Sequence, residues 1–114
     1  MNAMVKECCS CCCETRSMCL ATMQACLNKG GKMADAKLCM MLVECAQLCQ
    51  TCADCCCSNS DRCAAVAAAC AKLCEECARS CDSMCEPQLA KCSEMLRACA
   101  KACRCLCDDD KVVR

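Results

Sequence analysis

The chain of 114 residues contains no histidine, tryptophan, tyrosine or phenylalanine, and only two glycines and one proline. The missing aromatic rings remove the platforms on which single-stranded nucleic acid stacks. Lys and Arg (14) balance Asp and Glu (14), so net charge favours neither DNA nor an anionic membrane as a partner. A core without rings must be filled by Ala, Leu, Val, Met and Cys, or by a component that is not protein.

The chain also shows no run approaching the roughly 20 apolar residues that cross a bilayer. Its first residues lack the charged-then-apolar pattern of a signal peptide. We therefore expect a cytoplasmic protein with no membrane partner, in which thiols stay reduced and structural disulfides are rare. The cysteine count agrees, because 25 cysteines cannot all pair within one chain.

Turn signals divide the sequence into similar segments. Gly30-Gly31 and the polar residues 58–61 are typical of turns, and Glu86-Pro87 is typical of a new helix start. The acidic run at 108–110 opposes the dipole of a helix C-terminus, which predicts that the last helix ends near Cys107, with a loose tail to Arg114.

The segments between these signals are rich in strong helix formers, and isoleucine is absent. They predict helices over 3–28, 34–57, 61–85 and 88–107. Four helices with short links favour an all-α, up-down-up-down antiparallel four-helix bundle with a cysteine-lined core, as a single metal-binding domain over residues 1–114. The alternative is an irregular thiolate cluster, whose chains lack such helical content.

Cysteines recur in each segment at steps of three, four and seven, which place them on one helical face at about 100° per residue. A single buried cysteine behaves as a small hydrophobe, but a bundle lined with them would be under-packed without a ligand. The ladder therefore predicts bound metal. The predicted inward ligands are Cys8, Cys12, Cys19, Cys26, Cys45, Cys49, Cys52, Cys56, Cys63, Cys70, Cys74, Cys77, Cys81, Cys85, Cys92, Cys99, Cys103 and Cys107.

A second group of sulfur side chains gathers at the two ends of the predicted bundle. Cys9, Cys13 and Cys105 point away from the inward stripes, which predicts a surface rim of thiols that captures further metal, or else spare surface cysteines. The methionines cluster at the opposite end, where they serve as core filler or as weak Cu(I) ligands. The further candidate ligands are Cys11, Cys39, Cys55, Cys57, Met23, Met41, Met84 and Met95.

The ladder favours Cu(I) over other metals. Zinc and iron–sulfur sites need four ligands that converge on one point, whereas Cu(I) accepts thiolate, thioether and two-coordinate binding. Cu(I) in equal number to thiolates also leaves the interior nearly neutral, which predicts roughly 15 to 20 ions, or more if all the thiols take part. The alternatives are a thiolate sink for Zn(II) or Cd(II), an iron–sulfur electron carrier, and a disulfide-stapled secreted protein.

The motifs of residues 45–55 (CAQLCQTCADC), 70–81 (CAKLCEECARSC) and 99–103 (CAKAC) resemble the cytosolic branch of the bacterial four-helix-bundle copper storage proteins. The resemblance covers nearly the whole chain. It implies Cu(I) storage and detoxification, copper bridged by thiolates inside the bundle, and often a homotetramer. We expect copper to arrive from thiol carriers or a copper chaperone. The chain shows no carboxylate pair or nucleophile–base set, so we expect no enzymatic activity.

Overall fold

Helix α1 begins and ends at residues suited to those positions. In the computed structural model, which describes the backbone of residues 2–113 and the side chains of residues 2–107, α1 spans Ala3–Lys29. The Asn2 side chain accepts a hydrogen bond from the Val5 N–H (2.9 Å) and caps the helix. Gly30 ends it with φ 72°, a left-handed conformation that a side chain would strain. One 3₁₀ turn, Gly31–Met33, follows.

Helix α2 spans Ala36–Cys57, so its predicted start at 34 is wrong by two residues. The 3₁₀ turn occupies the residues before it, and the Asp35 carboxylate accepts a hydrogen bond from the Leu38 N–H (2.9 Å). That cap sets the first turn. Beyond the helix, Asn59 takes φ 55°, which reverses the chain.

Helix α3 spans Cys63–Ser83 and is shorter than predicted at both ends. The Ser60 hydroxyl accepts a hydrogen bond from the Arg62 N–H (3.1 Å), which keeps residues 61 and 62 in the preceding turn. At the other end Cys85 adopts φ 55° and leaves the helical conformation. The predicted extension to residue 85 is therefore wrong.

Helix α4 spans Pro87–Val113 and passes the predicted end at Cys107. Proline suits the first helical position because its missing N–H has no partner there in any helix. The acidic run does not stop the helix, since unfavourable charge at a solvated C-terminus costs only about 0.3–1 kcal/mol. The predicted loose tail lies within this helix, apart from Arg114, which is outside the described residues.

The four helices form a square in which α1 packs against α2 and α4, and α3 packs against the same two. Neighbouring helices run antiparallel. Cys8 near the start of α1 contacts Cys103 toward the end of α4, and Cys45 of α2 contacts Cys74 of the antiparallel helix α3. The molecule measures 48 × 21 × 19 Å. The predicted all-α bundle with a cysteine-rich core is confirmed, and residues 2–113 contain no strand.

The two ends of the bundle differ in chemistry. Buried aliphatic side chains concentrate at the end where α1 meets α2 and α3 meets α4, which we call the aliphatic end; they are Met33, Leu38, Leu42 and Leu89. The other end, where α2 meets α3, is lined by cysteines, and we call it the thiol end. None of the described helices is both long and apolar enough to cross a bilayer.

Candidate metal centre

The interior of the bundle is built from thiols. Sixteen of the 25 cysteines are buried, and each belongs to the predicted inward ladder. They recur every three, four or seven residues on the face that each helix turns toward the axis. The buried thiols are Cys8, Cys12, Cys19, Cys26, Cys45, Cys49, Cys52, Cys56, Cys70, Cys74, Cys77, Cys81, Cys92, Cys99, Cys103 and Cys107.

A first quartet of thiols lies nearest the thiol end. The Cys8 Sγ is 3.8 Å from the Cys52 Sγ and 3.7 Å from the Cys103 Sγ. Cys12 lies 3.9 Å from Cys103 and completes the set. All four sulfurs lie within 4.8 Å of one another, and they come from α1, α2 and α4. This spacing suits thiolates that share or bracket a soft metal ion.

A second quartet occupies the next level and draws one thiol from each helix. It consists of Cys12, Cys49, Cys70 and Cys99. Cys12 is 3.8 Å from Cys99, and Cys49 is 3.7 Å from Cys70. Cys12 belongs to both quartets, so the two sites cannot be filled as independent four-ligand centres.

The thiols continue on the α2–α3 side as a trio of Cys45, Cys49 and Cys74, in which Cys45 and Cys74 are 3.5 Å apart. Cys49 is again shared, this time between the second quartet and the trio. From Cys45 the hydrogen-bonded thiols lead on to Cys19 and Cys77. The network is therefore continuous over several helical turns.

The far part of the network approaches the aliphatic end. Cys19 is hydrogen-bonded to Cys92, and Cys81 is hydrogen-bonded to Cys77 and Cys92. Beyond this group the buried side chains are mostly leucines, and Cys26 is the remaining buried thiol. The metal-binding potential of the core is thus greatest at the thiol end and declines along the axis.

Two threonines interrupt the ladder on α1. Thr15 lies one turn beyond Cys12, and its buried hydroxyl has no hydrogen-bond partner among the described residues. Thr22 is also buried, but its hydroxyl is hydrogen-bonded to the Cys92 thiol. On α4, Leu96 lies one turn from Cys99, at the level of Thr15. The α1–α4 side therefore has a gap in the thiols where the α2–α3 side has none.

The described side chains include no buried charge. Among residues 2–107 the buried polar residues are Thr15, Thr22 and Ser93, and the Ser93 hydroxyl donates to the Ala78 carbonyl (3.5 Å). Lysine, arginine and carboxylate groups of residues 2–107 lie on the outside, as in the Arg104–Glu75 ion pair between α4 and α3. A metal–thiolate array in this interior must therefore be close to neutral by itself.

The pKa values of the thiols depend on burial and on thiol–thiol hydrogen bonds. Burial raises the pKa of Cys26 and Cys56. Hydrogen bonds from Cys19 and then Cys81 lower the pKa of Cys92 to about 3, and hydrogen bonds led by Cys103 lower that of Cys70 to about 6. Where several thiols donate to one sulfur, these hydrogen bonds lower its pKa and so ease the loss of its proton to a metal ion.

A protein of Nitrosospira multiformis with a known crystal structure has the same fold. The two superpose with a TM-score of 0.89 at 28% sequence identity, over 95% of this chain and 98% of the other. No protein-family model matches the chain, and no curated protein is significantly similar to it. The comparison supports the four-helix architecture, and the choice of metal rests on the thiols.

Two members of the predicted inward ladder lie elsewhere. Cys63 is only partly buried, although its Sγ is 3.6 Å from that of Cys56. Cys85 is exposed, because α3 ends at Ser83 and the left-handed φ of Cys85 turns its side chain out of the stripe. The placement of Cys85 in the core is wrong. Whether any of these thiols binds metal stays a prediction.

The further candidate ligands occupy varied positions. Cys11, Cys39 and Cys55 are partly buried and Cys57 is exposed. The Cys11 thiol donates to the Glu7 carboxylate (3.5 Å), and its pKa is raised to about 12, chiefly by burial and then by that hydrogen bond. Cys55 lines a cavity of about 330 Å³ at the thiol end, together with Cys56 and Cys63.

The methionines do not all gather at the aliphatic end. Met23, Met41 and Met84 are partly buried, and the Met41 Sδ accepts a hydrogen bond from the Ser80 hydroxyl (3.6 Å). Met95 instead lies beside Met18 in the groove between α1 and α4. Its predicted place at the end is wrong because it lies more than two turns inside α4.

Sequence reasoning missed one contact between surface thiols. Cys9 and Cys57 lie on the outer side of α1 and α2, with their Sγ atoms 3.6 Å apart. The sequence pattern places Cys9 off the inward ladder and makes Cys57 a further candidate ligand, but it does not pair them. The pairing depends on the axial register of α1 against α2, which the sequence pattern leaves open.

Proposed function

We propose that this protein stores many Cu(I) ions on the thiols inside its bundle. The observation that carries the proposal is the sharing of buried thiols: Cys12 belongs to two quartets, and Cys49 belongs to a quartet and a trio. Shared sulfurs are the ligands of bridged clusters rather than of separate centres. Cu(I) suits such ligands because it is soft and accepts low coordination numbers.

The uncharged core supports the same choice of metal. A Cu(I) ion that displaces one thiol proton leaves the local charge unchanged, so an array with one ion per thiolate stays neutral. A site with one Zn(II) ion and four thiolates has a net charge of −2, and no buried cation among residues 2–107 offsets this charge. A stack of such sites would place a large net charge in an apolar interior.

Filling the store needs no defined tetrahedral site. The sulfur–sulfur contacts measure 3.5–3.9 Å, from the Cys56–Cys63 contact at the thiol end to the Cys45–Cys74 contact, and the sulfurs of each quartet and of the trio lie within 4.8 Å of one another. A cargo ion can gain a bond to the next thiolate before it releases the previous one, and each thiol that becomes a ligand gives up its proton. We expect a capacity on the order of the sixteen buried thiols.

The biological part of the proposal follows the resemblance to copper storage proteins. We propose a cytoplasmic protein without enzymatic activity that receives Cu(I) from thiol carriers or a copper chaperone. It would store copper and protect the cell from an excess, as a homotetramer. The partly buried apolar side chains Leu20, Leu48 and Leu73 are available for contacts between subunits.

The test is an anaerobic titration of the reduced full-length protein with Cu(I), in competition with a chromophoric chelator. We expect saturation well above four equivalents, with the luminescence of copper–thiolate clusters. A double variant that replaces both shared thiols, Cys12→Ala and Cys49→Ala, should bind at least three copper ions fewer, because each of these sulfurs belongs to two groups. The matched control, Cys85→Ala with Cys105→Ala, removes two exposed thiols and should leave the core capacity unchanged.

The competing function is a sink for Zn(II) or Cd(II), which the two buried quartets favour because four thiols converge in each. The same protein is therefore titrated with Zn(II) and then challenged with Cu(I). Retention of tetrahedral zinc against Cu(I), or saturation by Cu(I) at one to four equivalents, would contradict the storage proposal.

A further inference from the structure

The thiols of Cys9 and Cys57 stand apart from the buried network. Cys9 comes from the second turn of α1 and is partly buried, whereas Cys57 is the last residue of α2 and is exposed. Their Sγ atoms are 3.6 Å apart, and the Cys9 thiol also lies 3.9 Å from the Ala53 carbonyl oxygen, to which it donates. Two packed helices hold this pair at the surface.

Cys13 adds a third thiol to the same surface. It lies one turn after Cys9 on α1, is exposed, and is near enough to the Cys9 thiol to raise its pKa slightly. The other exposed cysteines differ: among the described residues, neither Cys85 nor Cys105 has another thiol within hydrogen-bonding distance. The surface therefore holds one organised thiol group and two isolated thiols.

The sulfur separation suits a bridging ion. A disulfide requires about 2 Å between sulfurs, and an ion held linearly by two thiolates requires about twice a metal–sulfur bond of roughly 2.3 Å. The observed 3.6 Å lies between these values, and a small side-chain rotation that opens the pair gives two-coordinate binding. Cys13 is placed to supply a third ligand.

Electrostatics favours a cation at this pair. The pKa of Cys9 is raised to about 12, chiefly by burial and then by the neighbouring Cys57 thiol. Two thiolates at this separation repel each other, so a cation is needed to hold them side by side. A monovalent ion on two thiolates carries one negative charge, which water solvates at the surface but which the apolar core would penalise.

We infer that Cys9 and Cys57, with Cys13 beside them, form a surface site for one soft monovalent cation, separate from the core store. Its identification with Cu(I) rests on the proposed function. In the loading step, two copper–sulfur bonds to a small-molecule thiol carrier break and two form to Cys9 and Cys57. The two protein thiols lose protons, the two carrier thiolates take them up, and copper stays Cu(I).

The first experiment uses the unmutated protein, loaded with Cu(I) under anaerobic conditions in the presence of a phosphine reductant. A brief pulse of iodoacetamide followed by peptide mass mapping reports which thiols remain reactive. We expect Cys9 and Cys57 to be protected in the loaded protein and reactive in the metal-free protein. Cys85 and Cys105 should react in both and serve as internal controls.

The second experiment uses native mass spectrometry to count the copper ions bound at saturation by two double variants. One variant combines Cys9→Ser and Cys57→Ser, and the control variant combines Cys85→Ser and Cys105→Ser. The first variant should bind one copper ion fewer than the unmutated protein, and the control should bind the same number. Unprotected Cys9 and Cys57 on a protein that holds many copper ions would overturn this inference alone. Failure of the unmutated protein to load many ions would instead overturn the storage proposal.

Discussion

The buried hydroxyl of Thr15 offers a sharp test of the core of the metal-free protein. Its Oγ1 is fully buried and has no hydrogen-bond partner in the part of the chain that the structure describes. Thr15→Val replaces the hydroxyl with a methyl group of similar size and leaves the helix propensity nearly unchanged. We therefore expect the substitution to stabilise the reduced, metal-free protein.

The magnitude follows from the group that is removed. A buried polar atom without a partner costs about 1–3 kcal/mol, and the methyl group adds a small favourable transfer term. With a urea m-value of about 2 kcal/mol/M for a chain of this size, the unfolding midpoint should rise by roughly 0.5–1.5 M. The corresponding rise in Tm is about 4 °C for each kcal/mol.

The matched control is Thr22→Val. Thr22 lies two turns further along the same face of α1, but its hydroxyl is hydrogen-bonded to the Cys92 thiol. Because this hydroxyl already has a hydrogen-bond partner, its removal should leave the free energy of unfolding unchanged or lower it by up to about 1 kcal/mol. Both variants are measured by urea unfolding, followed by circular dichroism under reductant. An equal gain in both variants, or no gain from Thr15→Val, would refute the reasoning.

Three further predictions concern stability. Leu42→Ala, in the fully buried part of the aliphatic end, should destabilise the metal-free protein by about 2–5 kcal/mol in the same unfolding assay, and an effect below 1 kcal/mol would show that this end is loosely packed. Raising the pH should also destabilise it: burial and the Glu7 hydrogen bond raise the pKa of Cys11 from 9.0 to about 12, so above pH 9 the unfolded chain releases a proton that the folded chain keeps. Stability should fall as pH rises from about 9 to 12, and a flat profile over that range would contradict it. Stripping copper with a chelator should accelerate amide hydrogen exchange more around Cys52 and Cys103 than around Leu38, because thiols fill less volume than leucine; uniform exchange along the bundle would count against this.

The sequence predicts the fold well because the cysteine ladder has a helical period on every segment. The positions of Cys70, Cys74, Cys77 and Cys81 on one face follow from spacing alone, and the structure buries all four. The turn residues predict the exact ends of the helices less well. The Asp35 cap sets its helix boundary through a single hydrogen bond, and a period cannot reveal it.

The errors at the helix ends have related causes. Cys85 fits the stripe by arithmetic, but the chain leaves the helix just before it with φ 55°. The acidic run after Cys107 does not end α4, because unfavourable charge at a solvated helix terminus costs less free energy than helix propagation gains. Local contributions to the free energy at a helix end are small and are easily outweighed by other interactions. The burial of a whole helix face contributes much more, so it is predicted more reliably.

The site was predictable in composition and not in connectivity. Spacing indicates which thiols face inward, but which thiols share a quartet depends on the axial register of four helices. That register places Cys12 between two quartets and brings Cys9 to Cys57, and both relations appear only in three dimensions. The absence of a partner for the Thr15 hydroxyl is likewise a property of packing.

The layered arrangement of the thiols gives the bundle a modular length. Successive levels are separated by three or four residues on every helix, so seven residues, or about 10.5 Å of rise, span two levels. Insertion of one heptad with the same pattern into all four helices would therefore lengthen the molecule without altering its width or the angular positions of its outer side chains. The number of metal ions held would then increase in proportion to the length of the bundle. Four-helix bundles of this pattern with different helix lengths would differ in metal capacity and not in the type of metal site.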